Sequence, residues 1–192
     1  TLTPLQVDAF EELANLNCRA LSTGGEYLFV GLEVAPWGKL FRRNGNNFEF
    51  VADTPELSYP ALDSDISSGG NYLIVCSGEG ESSDRVVLYE ITDNSISELI
   101  TTNIYNVRAV GFSPSGERYF VASGQDQLLG YLHIYKQEGQ TYSLEFTYLT
   151  GNYYRRVASA AFVSDNSLWL LDRYDPPSSQ PTTYTLRRLD YN

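Results

Sequence analysis

Histidine is nearly absent from this sequence: His133 is the one example in 192 residues. A His-rich zinc centre is therefore excluded, and the two cysteines, Cys18 and Cys76, supply no zinc-ligand spacing. Two cysteines also make no disulfide framework. Each lies in an apolar, strand-like run, where a free cysteine behaves as a small hydrophobe, so both are expected to be buried and unpaired. His133 falls at the centre of a strand pattern, as a packed or half-exposed structural residue. No Gly-x-Ser-x-Gly elbow accompanies any serine, which argues against a Ser-His-Asp hydrolase. These gaps lead to the expectation of a non-enzymatic chain without cofactor.

Positive charge is also scarce. Thirteen Lys and Arg against 24 Asp and Glu give a net charge of -11 and a pI of about 4.4. A basic face for phosphates would have to be built from those few residues, so nucleic acid is not an expected partner. No apolar run approaches the ~18 residues of a membrane helix, and no charged-then-apolar leader opens the chain, so neither a signal peptide nor a membrane partner is expected. The Gly-rich stretch from Cys76 to Glu81 lacks the Lys and following helix of a phosphate cradle, and its own acids repel phosphate. Carboxylates do come in groups: Asp63 with Asp65, and Glu79 with Glu81 and Asp84. The i, i+2 spacing of the first pair puts both on one side of an inner strand, able to face a central channel where a hard cation could sit. No full calcium-loop motif accompanies them, and no metal is assigned.

What the sequence does contain is tyrosine and a repeat. Fifteen Tyr within an aromatic fraction of 14% favour sheet over helix. From Asn106 to Gln137 the chain runs through an apolar stretch (Val107, Ala109, Val110, Phe112), a Ser113-Pro114-Ser115-Gly116 turn, a second apolar run and a third ending at Tyr135. Pro114 and Gly116 suit a type I turn. The turn before the second run recurs about every 45–49 residues, ahead of Tyr27, Tyr72, Tyr119 and, in degenerate form, Leu168. These four residues are taken as equivalent. The second strands then read YLFVGL, YLIVCS, YFVAS and LWLLD; such unbroken apolar runs suit strands covered on both faces. Third strands follow at Lys39 to Arg43, Arg85 to Ile91, Tyr131 to Gln137 and Tyr184 to Leu189. Outer strands follow hairpin loops at Phe48 to Ala52, Ile96 to Ile100 and Tyr142 to Tyr148. The fourth copy ends without one. Residues 3–13, which precede the first inner strand as FEFVADTPEL precedes the second, are read as its outer strand. A helix over Val7 to Leu16 is the rival reading.

The expectation is an all-β chain: a β-propeller of four blades of four antiparallel strands, with the N-terminal strand closing the last blade, in one domain spanning 1–192. The blades are about 14–53, 54–102, 103–150, and 151–192 plus 3–13. A four-bladed ring within one chain, an eight-bladed ring of two chains, and exchange of the N-terminal strand all remain open. Ser113 to Gly116, together with Ile134-Tyr135-Lys136-Gln137-Glu138-Gly139-Gln140-Thr141-Tyr142 and Leu40 to Phe48, resembles the WD-repeat-like propellers of the degenerate tandem type found in phage and bacterial structural proteins. The chain lacks the Gly-His and Trp-Asp dipeptides of true WD repeats, so no WD partner network is carried over.

That resemblance implies a structural or protein-interaction module in a phage virion or tail; otherwise a cytoplasmic location is expected. In a propeller the loops between outer and next inner strands share one end with those between second and third strands. This end holds Trp37, Tyr59, Tyr153, Tyr154, Arg155, Arg156 and Tyr174, with a stiff Pro-rich excursion from Asp175 to Pro181. Exposed aromatics with Arg are the composition of binding hot spots, so these residues form the candidate binding set. The expected partner is a neighbouring structural protein or another copy of the chain. A lectin-like propeller stacking Trp37 and the tyrosines on glycans is the alternative.

Overall fold

The computed structural model describes residues 17–55, 57–78, 84–93, 95–124, 129–151, 154–176 and 180–191. Every regular element among them is a strand. The first sheet is β1 (Cys18–Gly24), β2 (Tyr27–Leu32), β3 (Gly38–Asn44) and β4 (Asn47–Asp53). The second is β5 (Ala61–Ile66), β6 (Tyr72–Ser77), β7 (Arg85–Thr92) and β8 (Ser95–Asn103). The third is β9 (Val107–Phe112), β10 (Arg118–Gly124), β11 (Gly130–Glu138) and β12 (Thr141–Leu149). The fourth is β13 (Arg155–Ser164), β14 (Ser167–Tyr174) and β15 (Thr183–Asp190). Each sheet is antiparallel, with its strands in sequence order. The inner strands β1, β5, β9 and β13 pack on one another in turn, while the outer strands splay apart. These sheets are the blades of a β-propeller.

Among the described residues the fourth sheet has three strands, with no strand paired to the outer edge of β15. Residues 3–13, read as its missing strand or as a helix, lie outside the described residues. Cys76 is buried as expected, but Cys18 is exposed: it opens β1 beside a bulge, where the strand is not yet covered.

The repeat is also out of phase by one residue in the later blades. Where the second strand begins, a recurring backbone bond runs from Arg43 N to Glu26 O, Ile91 N to Asn71 O, Gln137 N to Glu117 O and Tyr191 N to Asn166 O. The equivalent next residues are therefore Tyr27, Tyr72, Arg118 and Ser167, not Tyr119 and Leu168. Glycine sets this phase. Gly70 and Gly116 both take the left-handed backbone (φ 75° and 77°) and donate to Ser67 O and Ser113 O at 2.8 and 2.9 Å. A slip of one residue exchanges the two faces of a strand. Thus Phe120 and Ala122 face the fourth blade, while Tyr119 and Val121 face the second.

Each seam between blades is apolar at its centre. Phe29 and Leu40 meet Leu73, Val75 and Tyr89 across the first, and Ile74 and Leu88 meet Val110, Tyr119 and Val121 across the second. Phe120 and Ile134 meet Val157, Leu168 and Leu170 across the third. Near the hub the seams are polar. Ser22 Oγ lies 3.0 Å from Ser64 Oγ. Asp63 Oδ2 accepts from Val110 N at 3.0 Å, and Asp65 Oδ2 accepts from Phe112 N at 2.7 Å. The carboxylate pair does not face a channel to hold a cation; it turns sideways and satisfies the open N–H edge of β9.

Burial pushes both carboxyls above their ordinary value, and the amide donors offset this only in part. A raised folded-state value means that the folded chain holds the proton more tightly than the unfolded one. Their stabilising contribution is complete below the ordinary Asp range, near ~3.9, and is lost as pH rises through the raised values. The variant Asp63→Asn/Asp65→Asn lacks this loss. In urea melts at stepped pH, its stability relative to the parent chain should climb through that window; a relative decline would show that the charged pair stabilises the seam.

Candidate interaction surface

Because successive strands alternate in direction, the β2–β3, β6–β7, β10–β11 and β14–β15 connections share one end with the links between blades. The described residues of the candidate set, Trp37, Tyr59, Tyr154, Arg155, Arg156 and Tyr174, all lie at this end. Tyr153 lies outside the described residues. The set divides in two. Trp37 and Tyr59 flank the first blade, whereas Tyr154, Arg155, Arg156 and Tyr174 gather on the fourth, with two blades between them.

The fourth-blade group is built from the backbone outward. β10 ends on Gly124, which pairs with Gly130 at the start of β11. A Cβ on Gly130 would stand 2.7 Å from both Arg156 Cα and Val157 N, and one on Gly124 would stand 2.8 Å from Arg156 Cβ. Only glycine at both positions lets β13 approach this closely. Thr150 ties the approach down: its Oγ1 accepts from Gly130 N at 3.0 Å and donates to Arg155 O at 3.1 Å.

On that base, Asp175 locks the two ends of the hairpin. Its N donates to Tyr154 O at 2.9 Å. Its Oδ1 accepts from Arg173 Nε and Thr182 Oγ1, each at 2.9 Å, and its Oδ2 stands 3.2 Å from Arg156 Nη2. Burial opposes the Asp175 charge, but the Thr182 hydroxyl and the two guanidiniums outweigh it and hold the carboxyl below its ordinary range. Arg155 lays its guanidinium over the Tyr174 ring, 5.6 Å from the centroid. Beneath them Asp172 is buried, with Arg187 Nε 2.8 Å from its Oδ2 but out of line for a hydrogen bond, so the contact is ionic. Burial raises the Asp172 carboxyl, against the pull of Arg187 and Arg155. Asp172, Arg173 and Arg187 were absent from the candidate set, and Asp175 entered only as the start of a proline-rich excursion. Their one local signal is the alternation of charge and aromatic in Asp172-Arg173-Tyr174-Asp175.

Trp37 and Tyr154 share an unusual backbone, with φ of 71° and 68°. Left-handed geometry costs an ordinary residue about 1–2 kcal/mol. Trp37 is held there by bonds from Leu32 N to its O (2.8 Å) and from its N to Val34 O (2.9 Å). Its ring is half-buried against the first seam, so much of its surface caps the core. Tyr59 is likewise half-buried. His133 stacks on Tyr131 at 5.8 Å, with Nδ1 3.1 Å from Thr147 Oγ1; burial lowers its basicity. That is a structural placement, part-way along β11. Among the described residues, no three His, Cys, Asp or Glu side chains converge as metal ligands.

Solved structures share this architecture. Hydrazine synthase from Kuenenia stuttgartiensis aligns with a TM-score of 0.69 at 10% identity, over 92% of this chain and 51% of its own. Saccharomyces cerevisiae Sqt1 aligns with 0.64 at 10%, over 82% and 43%. The β-propeller domain of Myceliophteria thermophila Cps50 (Swd1) aligns with 0.60 at 13%, over 88% and 55%. The likeness is one of fold alone. The chain spans about half the length of the structures it matches. No protein-family model and no curated protein matches its sequence.

Proposed function

We propose that this chain is a non-enzymatic protein-interaction module that binds a partner with the fourth-blade loop end. The observation that carries the reading is the pre-set geometry there: Asp175 fixes Arg156, Arg173 and Tyr154, and Arg155 lies on Tyr174. A docking partner meets side chains that are already ordered, so little freedom is lost on binding. Aromatic and Arg residues on a rigid frame are the usual anchors of such contacts. Resemblance of the hairpin repeats to those of phage structural proteins makes a virion or tail component the proposed setting, with a neighbouring structural protein as partner. A glycan partner is less favoured, because Trp37 spends much of its ring capping the first seam.

Quantitative affinity capture compares the parent chain with Arg155→Ala/Tyr174→Ala and with a control at exposed Leu144 on β12. A genuine partner should lose at least ~30-fold in affinity with the loop-end variant, as loss of a hot spot does, and be retained by the control. No protein with that dependence, or glycan-array binding abolished by Trp37→Ala, overturns the proposal.

A further inference from the structure

The two halves of the loop-end set are joined by residues that the set does not contain. Just before β5, β9 and β13, one backbone bond recurs. Gly78 N donates to Pro60 O at 3.2 Å, Gly124 N to Asn106 O at 3.0 Å, and Asp175 N to Tyr154 O at 2.9 Å. Pro60, Asn106 and Tyr154 are therefore equivalent points on the links between blades. A tyrosine stands at each link: Tyr59 and Tyr105 one residue before the point, and Tyr154 at the point itself. Tyr105 is the most open of the three, 65% exposed. The backbone beneath it has a set shape. Asn106 is buried and takes a left-handed φ of 52°, as Tyr154 does at the next link. Two residues on, β9 is bulged: Val107 pairs with Ser123 and Ala109 with Ala122, which leaves Arg108 as the extra residue. Bulges of this kind re-aim a side chain. Leu62, the extra residue of β5, packs into the seam with the third blade. By the same geometry Arg108 leans toward the fourth. It is exposed and pairs with no acid among the described residues.

Resting on the reading that this end binds a protein, we propose that Tyr59, Tyr105 and Tyr154 form one row that seats an extended, proline-rich segment of the partner, with Arg108 taking an acidic residue of that segment. The spacing of the row selects the conformation. Blades pack face to face, and sheets packed in this way lie about 10 Å apart, so the links recur at about that interval. A polyproline II helix rises about 3.1 Å per residue with three residues per turn, and so presents the same face every ~9 Å. Every third residue of such a segment meets the next tyrosine. A β-strand shows the same face at every second residue, about 7 Å apart, and falls out of step after one blade. Proline-rich segments dock on aromatic-lined surfaces and arrive already extended, so little freedom is lost. The charge of the segment follows from Arg108. An acidic side chain pairs with it, whereas a basic one stands against Arg108 and, one link on, against Arg155.

Fluorescence polarisation with three labelled peptides tests this. One carries a repeating Pro-x-x-Pro pattern with a central Glu, the second has Lys in place of the Glu, and the third has Ala in place of the prolines. The Pro/Glu peptide should bind the parent chain tightest. Tyr105→Ala should weaken it at least ~10-fold. Arg108→Glu should weaken it roughly 5-fold, as for an exposed ion pair, and should itself prefer the Lys peptide. Both positions are exposed, so circular dichroism should be unchanged, and the control Leu144→Ala should bind as the parent does. Equal binding of the Glu and Lys peptides, equal binding without the prolines, indifference to Tyr105→Ala, or binding of none of the three overturns the proposal. Its failure is separable from that of the reading it rests on. A captured partner that depends on Arg155 and Tyr174 but not on Tyr105 or Arg108 keeps the interaction module and removes the extended segment.

Discussion

Phe120→Ala lowers the unfolding free energy by about 3–5 kcal/mol, the usual range for removing a buried aromatic ring. The ring is 3% exposed, packs 5.7 Å from Phe162 across the third seam, and lies over the bare backbone of Gly111. With glycine beneath it and two strands around it, the site cannot collapse to fill the space. Trp169→Ala removes a larger side chain at the equivalent position, yet costs the single chain only roughly 1 kcal/mol, because Trp169 lies open. Urea denaturation of the two variants, measured where the chain is monomeric, separates them. Equal costs would show that Trp169 is already covered within the chain.

Gly130→Ala has the second large effect. Its methyl would enter backbone rather than a yielding side chain, 2.7 Å from Arg156 Cα and Val157 N. The fourth blade must then move off the third, at a cost of about 1–3 kcal/mol as in overpacked cores. The displacement falls on Arg155 and Arg156 directly. This variant should therefore lose stability in urea and partner affinity together, and limited proteolysis should cut first within the fourth blade. Gly139→Ala is the comparison: nothing lies within 4 Å of the added methyl, and only its left-handed φ of 67° penalises it. A loss of stability in Gly130→Ala no greater than in Gly139→Ala would show that the close approach is not rigid.

Much of this architecture is legible in local pattern. The third and outer strands were placed within one to three residues of β3, β4, β7, β8, β11, β12 and β15, because Asn44-Gly45 and Glu138-Gly139 mark hairpins that only such strands can enclose. The phase of the repeat was read wrongly where Tyr119 resembles Tyr72, since a shared tyrosine is a weaker marker than the glycine that closes the turn. Cys18 looked interior because Leu16 and Ala20 flank it at two-residue spacing, but burial depends on what lies across the strand end. The loop-end set was partly legible. Tyr154, Arg155, Arg156 and Tyr174 do meet, but Trp37 and Tyr59 belong to another blade. The role of Asp175 was hidden, because its partners Arg156 and Thr182 come from other segments and no local spacing encodes them. Asp63 and Asp65 carried a true signal, alternation on one strand, whose meaning depended on the β9 edge arriving beside them.

Every blade is made from consecutive strands, and each packs chiefly on the one before it. The chain can therefore be built as it is synthesised. The first blade is complete, hairpins closed, before the tyrosines of the third have been added, and each new inner strand arrives at a surface already waiting for it. Closure of short loops of this kind is fast, and the long-range search that slows many β-proteins is largely avoided. The fourth blade, which carries the loop end, is added only after the three before it.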